Sequence, residues 1–181
     1  MQPGSGDLVS PLEDLARREM ELLSRAHASV GLIEDKFARL RETGAFAEAA
    51  AVHKAYIDLA GPPTSSLEAM KRAIFIGWYE VAEPGCFTGI GDLDPEQHRR
   101  AHGLLDVAYA EGRLDAELAV MLGWYWLIAD YHFQAHSPDR LIEYVSHLEP
   151  DAYKRYGFAP AGLEGRGQMG VYWVSVACRA A

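Results

Sequence analysis

Residues 115–136 read DAELAVMLGWYWLIADYHFQAH. Its middle, Leu118–Ala129, is the longest apolar run of the chain and carries no charge. A segment apolar on every face is a helix enclosed by other helices. It is also too short to cross a bilayer as a helix, which takes about 20 apolar residues. The run therefore predicts the central helix of an all-α protein. Outward from it, Ala119-Val120-Met121-Leu122-Gly123-Trp124-Tyr125 echoes Ala73-Ile74-Phe75-Ile76-Gly77-Trp78-Tyr79, 46 residues earlier. Each copy is followed by an apolar stretch and a carboxylate, Glu83 or Asp130.

The echo suggests two helical hairpins, 45–83 and 95–136, with the phrase in the second helix of each. His53 and His102 fall in the first helices. Stacked helix pairs bury their faces in this way. Gly77 and Gly123 would let a neighbour approach closely, having no Cβ in the way. Beyond the leading Ala, only Gly, Trp and Tyr are identical, and apolar helices share a small alphabet. A pseudo-repeat and a chance likeness both stay open, and no familiar repeat consensus fits.

Helix starts are legible. Ser10-Pro11-Leu12-Glu13 offers a capping hydroxyl, a proline at the first helical position and a carboxylate three residues beyond the cap. Ser65…Glu68, Asp94-Pro95-Glu96-Gln97 and Ser137-Pro138 repeat the logic. Apolar spacing and glycine or proline stops predict helices near 11–42 with a break at Gly31, then 45–60, 66–83, 95–111, 115–136 and 138–148. A turn or two follows over 150–156. Residues 157–170 read as a Gly-rich loop, a lid or a connector without the lysine and preceding strand of a phosphate loop. Val171–Ala177 favours a strand by composition; Met169, Trp173 and Val176 fit a helical stripe. A lone strand has no partner in a helical chain, so helix is preferred. The expectation is one all-α domain over 1–181, a multi-helix bundle or short hairpin stack of six or seven helices.

The 181 residues are 49% hydrophobic, enough for a core without disulfide or metal staples. The net charge of -9 argues against nucleic acid and anionic membranes as partners. It suits a basic protein partner. Dibasic pairs such as Arg99–Arg100 read as solvated helix surface. Two cysteines, Cys86 and Cys178, are too few for a disulfide framework and fit a reducing cytoplasm. Met1–Asp7 lacks the basic-then-apolar pattern of a signal peptide.

Three constellations carry candidate chemistry. His98/His102 and His132/His136 are His-x3-His pairs, which put two imidazoles on one helix face. In an antiparallel hairpin the start of one helix lies beside the end of the other. Four imidazoles with Asp130 would then suit zinc or another divalent transition metal. Against this, His98 sits in Gln97-His98-Arg99-Arg100, which reads as exposed, His132 would be a hydrogen-bonded core residue, and His136 would serve as a helix C-terminal charge. Phe133 follows His132 where a zincin has Glu, and the Glu-x-x-His pairs of di-iron bundles are absent. The second constellation is Glu80, Glu83 and Cys86, around a helix terminus and a glycine-shaped turn. Glu80 is a candidate acid or base and Cys86 a candidate nucleophile. The competing reading is a terminator with a packing cysteine, since a helix C-terminus disfavours a thiolate. The third is aromatic: Trp78, Tyr79, Trp124, Trp126 and Tyr131, with Tyr125 and Phe133 beside them. They would line a ligand pocket or partner surface, or form core.

A lone His on an early helix with His-x3-His on a later one is similar in outline to DinB-like metalloproteins, the matching positions being His53, His132 and His136. The likeness rests on those three residues and implies a helical bundle holding a divalent metal.

The leading functional expectation is a small acidic, non-catalytic binding protein, with a groove near Trp78, Trp124 and Trp126. Its partner would be a basic protein, a small apolar ligand or a second copy of the chain. The alternative is a helical-bundle metalloenzyme built on a His-x3-His pair.

Overall fold

The computed structural model describes residues 10–180, and every regular element among them is helical. In chain order these are α1 (Pro11–Ala28), α2 (Ile33–Glu42), α3 (Ala45–Ala60), α4 (Leu67–Ala82), α5 (Gly85–Thr88), α6 (Pro95–Ala110), α7 (Ala116–His136), α8 (Asp139–Ser146), α9 (Tyr153–Tyr156) and α10 (Gly167–Ala180). A single 3₁₀ turn, Pro160–Gly162, precedes α10. The helices form one compact multi-helix arrangement, and no helix among the described residues is long and apolar enough to cross a membrane. Met1–Asp7 lies outside the described residues.

Among the described residues, ten helices replace the expected six or seven. The break at Gly31 (φ 116°) separates α1 from α2. The one-turn helices α5 and α9 are too short to show a 3.6-residue periodicity. The C-terminal segment is helical: α10 buries Met169, Trp173 and Val176 and leaves Val171 exposed, so packing of that stripe outweighs β-branched composition. The Gly-rich stretch before it is pinned rather than free. Arg166 donates to Glu68 (2.6 Å) and Glu117 (2.5 Å), and the Gln168 N–H donates to Glu19 Oε2 (3.0 Å).

Local capping explains where several helices start. Ser10 and Glu13 form both halves of a capping box, with bonds of 3.2 and 2.9 Å. Asp94 accepts from the Glu96 N–H at 2.9 Å. Two caps differ from expectation. Ser66, not Ser65, accepts from the Ala69 N–H, because Ser65 takes a left-handed turn conformation (φ 49°). Ser137 does not cap α8, whose N-cap is Pro138 with no side-chain bond; its hydroxyl is used elsewhere.

The core centres on Phe75, Trp78, Tyr125 and Trp173, all fully buried. Trp78 stacks on Tyr125 with ring centroids 4.4 Å apart, and Trp173 Nε1 donates to the Tyr125 hydroxyl (2.9 Å). Trp78 Nε1 donates to the Tyr125 backbone carbonyl at 3.1 Å. In an unbroken helix that carbonyl would accept from the N–H of Ala129. Ala129 instead leaves the helical range (φ -146°, ψ 61°). A side-chain donor entering the ladder is a recognised cause of a kink. The kink divides α7 into an aromatic half and a half bearing His132 and His136.

Candidate metal centre

Five histidines from three helices meet in the interior: His53 from α3, His98 and His102 from α6, and His132 and His136 from α7. His53 and His102 are 1% exposed, His132 2% and His98 4%; His136 is half-buried. Ring centroids are 5.1 Å apart for His98–His132 and for His102–His132, 4.9 Å for His98–His136 and 5.0 Å for His132–His136. His102–His136 is wider at 6.1 Å, and His53 joins through His98 at 5.3 Å. The polar neighbourhood of His98 in sequence gave the wrong sign for its exposure. α6 turns Arg99 and Arg100 to solvent while His98 points inward.

Gly77 of α4 makes room for this cluster. A Cβ there would lie 2.8 Å from His98 Nδ1 and 3.6 Å from His53 Nε2, so no larger residue fits without displacing an imidazole. Gly123, its counterpart in the second copy of the phrase, faces the Glu149 carbonyl beyond α8, 3.0 Å from where its Cβ would be. The two glycines thus serve different neighbours.

Polar groups around the rings fix their orientation. Ser137 Oγ lies 2.6 Å from His102 Nδ1. His98 Nε2 is 3.1 Å from Glu80 Oε2, while Glu80 Oε1 accepts from the Leu93 N–H at 2.8 Å. His53 Nε2 is buried without a partner. His136 Nδ1 is also buried and unpartnered. Unpaired buried polar atoms are uncommon and costly, of order 1–3 kcal/mol each. Burial is the first cause that holds the imidazoles neutral, and the neighbouring imidazoles add to it. His53 and His132 are each lowered to about 3, His102 is well below its ordinary value, and His136 is lowered. Neutral imidazole is the metal-binding form.

His102 Nε2 and His132 Nε2 stand 3.3 Å apart, within hydrogen-bond range of each other. Two nitrogens bound to one tetrahedral ion at about 2.05 Å stand roughly 3.3–3.4 Å apart. The same geometry puts ring centroids roughly 5 Å apart, near the spacing of four of the six ring pairs above. No three His, Cys, Asp or Glu groups among the described residues already converge on one point. His102 and His132 approach each other as a pair, while His98 Nε2 is engaged by Glu80 and His136 Nδ1 is unpartnered.

The carboxylate beside the rings is Glu80. Asp130, expected there, is exposed and bonded to the Tyr131 N–H and Gln134 on the outer face of α7. Glu83 is an exposed residue that ends α4. Cys86 is fully buried in α5 among core side chains, so no substrate reaches its thiol. Trp78 is core and leaves any surface groove. Tyr79, Trp124 and Trp126 are half-buried, and Tyr131 is exposed with its hydroxyl donating to the Val81 carbonyl (3.2 Å). Trp124 packs on Tyr153 and Trp126 on Phe133, so they belong to separate clusters. Sequence reading missed Ser137 as a histidine partner; its place directly after His136 was the available signal. An apolar hollow of about 560 Å³ between α1 and α10 shares no lining residue with the cluster.

No protein-family model matches the chain, and no curated protein or solved structure matches it. The three histidines of the DinB-like outline are not a closed trio here: His98 stands between His53 and the α7 pair.

Proposed function

We propose that this chain is a divalent transition-metal protein whose ion is held by His102 and His132 and completed by His98 and His136. The observation that carries the reading is the 3.3 Å separation of two buried Nε2 atoms within a cluster of buried and half-buried imidazoles. An imidazole set favours zinc, iron, nickel or copper over magnesium or calcium. Ser137 on His102 and Glu80 on His98 act as the outer partners that ligating histidines normally have. His136 is the least buried of the five, which supports it as the exchangeable position. A centre with one exchangeable position is of the catalytic type, able to polarise a bound oxygen or activate water.

The reading as a non-catalytic binding module stands second. It rested on one groove at Trp78, Trp124 and Trp126, and these side chains do not share a surface.

Metal analysis of the purified chain tests the proposal, with a His102→Ala/His132→Ala variant beside it. The expected result is about one equivalent of a transition metal, absent from the variant. The wild-type protein should also gain thermal stability on adding the metal, by mass action on the folded state. Metal-free protein that gains no stability from zinc, iron, nickel or copper would sink the idea.

A further inference from the structure

A second hollow lies apart from the histidines, beside the end of α4. Its volume is about 430 Å³, within the roughly 300–1,000 Å³ typical of small-molecule sites. Tyr79, Trp124, Tyr153 and Tyr172 wall it, and Glu83 and Arg179 line it as well. The rings stand edge to face, with centroids 4.9 Å apart for Trp124–Tyr153 and 5.5 Å for Tyr79–Tyr172.

Two features separate this hollow from ordinary aromatic packing. First, it holds one negative and one positive side chain that do not pair. Among the described residues neither the Glu83 nor the Arg179 side chain has an ion-pair or hydrogen-bond partner, and the two do not reach each other. Second, it presents hydroxyl donors. Tyr172 accepts from Trp124 Nε1 at 2.7 Å, which leaves its own proton without an acceptor among the described residues. The Tyr79 hydroxyl likewise has no partner there. Glu83 acts on both phenols and Arg179 on Tyr172. Burial raises the Tyr79 hydroxyl to about 12 and Glu83 adds to the shift. Burial also raises Tyr172, with Glu83 pushing it up and Arg179 pulling it down. Both phenols therefore remain protonated donors at neutral pH.

We propose that this hollow binds a small zwitterion with an apolar body, the chemical class of the amino acids. The ammonium group sits against Glu83 and the aromatic faces, which attract cations. The carboxylate takes Arg179 and the tyrosine hydroxyls, charge-assisted bonds that are stronger than neutral ones. The apolar body fills the space between the rings. This site stands independently of the metal centre, with which it shares no residue.

Calorimetric titration of the full chain with three probes of one shape tests it: phenylalanine, phenethylamine and 3-phenylpropionate. Phenylalanine should bind at least about tenfold more tightly than either single-charge analogue. Glu83→Gln should weaken phenylalanine and phenethylamine and spare 3-phenylpropionate. Arg179→Gln should weaken phenylalanine and 3-phenylpropionate and spare phenethylamine. Both positions are exposed, so circular dichroism should show unchanged folding. Absence of binding by all three probes at millimolar concentration overturns the proposal. So does equal binding of all three, or a single-charge probe that matches phenylalanine. Phenylalanine binding that ignores both substitutions overturns it as well.

Discussion

At the scale of single residues, two atoms decide how the histidines are held. Gly77 has no Cβ, and adding one places it 2.8 Å from His98 Nδ1. Gly77→Ala is expected to displace His98 and cost about 1–3 kcal/mol of stability, as overpacking of a core does. Gly103, on α6, has nothing within 4 Å of its would-be Cβ. Gly103→Ala is therefore expected to stabilise by about 0.5–1 kcal/mol through helix propensity alone. Urea melts of the two variants should move in opposite directions; a shared direction would contradict the packing at Gly77. The second atom is Ser137 Oγ, 2.6 Å from His102 Nδ1. Ser137→Ala leaves His102 Nδ1 buried without that partner and should cost metal-free protein about 1–3 kcal/mol. It should weaken metal binding by about 10–100-fold, the usual effect of losing an outer partner. Competition with a chromophoric chelator reads that constant, and an unchanged value would make the bond incidental.

At the scale of elements, α7 joins the core to the site through its kink. Trp78 Nε1 occupies the Tyr125 carbonyl, and the helical dihedrals fail at Ala129, four residues on. The angle at which His132 and His136 enter the cluster thus depends on a bond made by α4. Trp78→Phe keeps an aromatic ring but removes the donor. The expected loss is about 1–3 kcal/mol from an unmet buried acceptor and lost volume. Metal affinity should fall too, although Trp78 belongs to the aromatic core. If stability drops while the chelator competition stays at its wild-type value, the kink does not position the histidines.

At the scale of the whole molecule, Glu19 links four helices. It is buried on α1, accepts from the Tyr56 hydroxyl of α3 (2.5 Å) and from the Gln168 N–H of α10 (3.0 Å), and feels Arg72 and Glu68 of α4. Burial, the largest cause, raises its carboxyl from 4.5 to about 7, against the hydrogen bonds and Arg72, which lower it. A folded-state pKa above the unfolded value means that the folded chain holds the proton more tightly. Its contribution is fully present below pH 4.5 and is lost as pH rises through about 7, on the order of 3 kcal/mol. The buried histidines act oppositely, losing stability as pH falls from 6.5 towards about 3. Glu19→Gln isolates the first effect. The difference in unfolding free energy between wild type and variant should change across pH 4.5–7 and level off above it. A difference constant with pH would mean that Glu19 titrates normally.

The sequence by itself determined where the longer helices lie. Caps at Ser10 and Asp94, glycine stops and 3.6-residue stripes are local physics, and α3 falls on its expected bounds, 45–60. Local information also marked both His-x3-His pairs, since one helix face follows from spacing. It misplaced the carboxylate, because Glu80 and Asp130 each follow a copy of the same phrase and only packing turns one inward. It misjudged His98 for a related reason: flanking charge reports the exposure of neighbours, not the direction of one side chain. The tertiary structure alone decided that His53 joins through His98, that Ser137 serves His102 instead of α8, and that Trp78 is core while Trp124 and Tyr79 wall a hollow. Each of these is a contact between helices far apart in the chain. Their relative rotation is set by the burial of many apolar side chains at once, and no short window of sequence carries that sum.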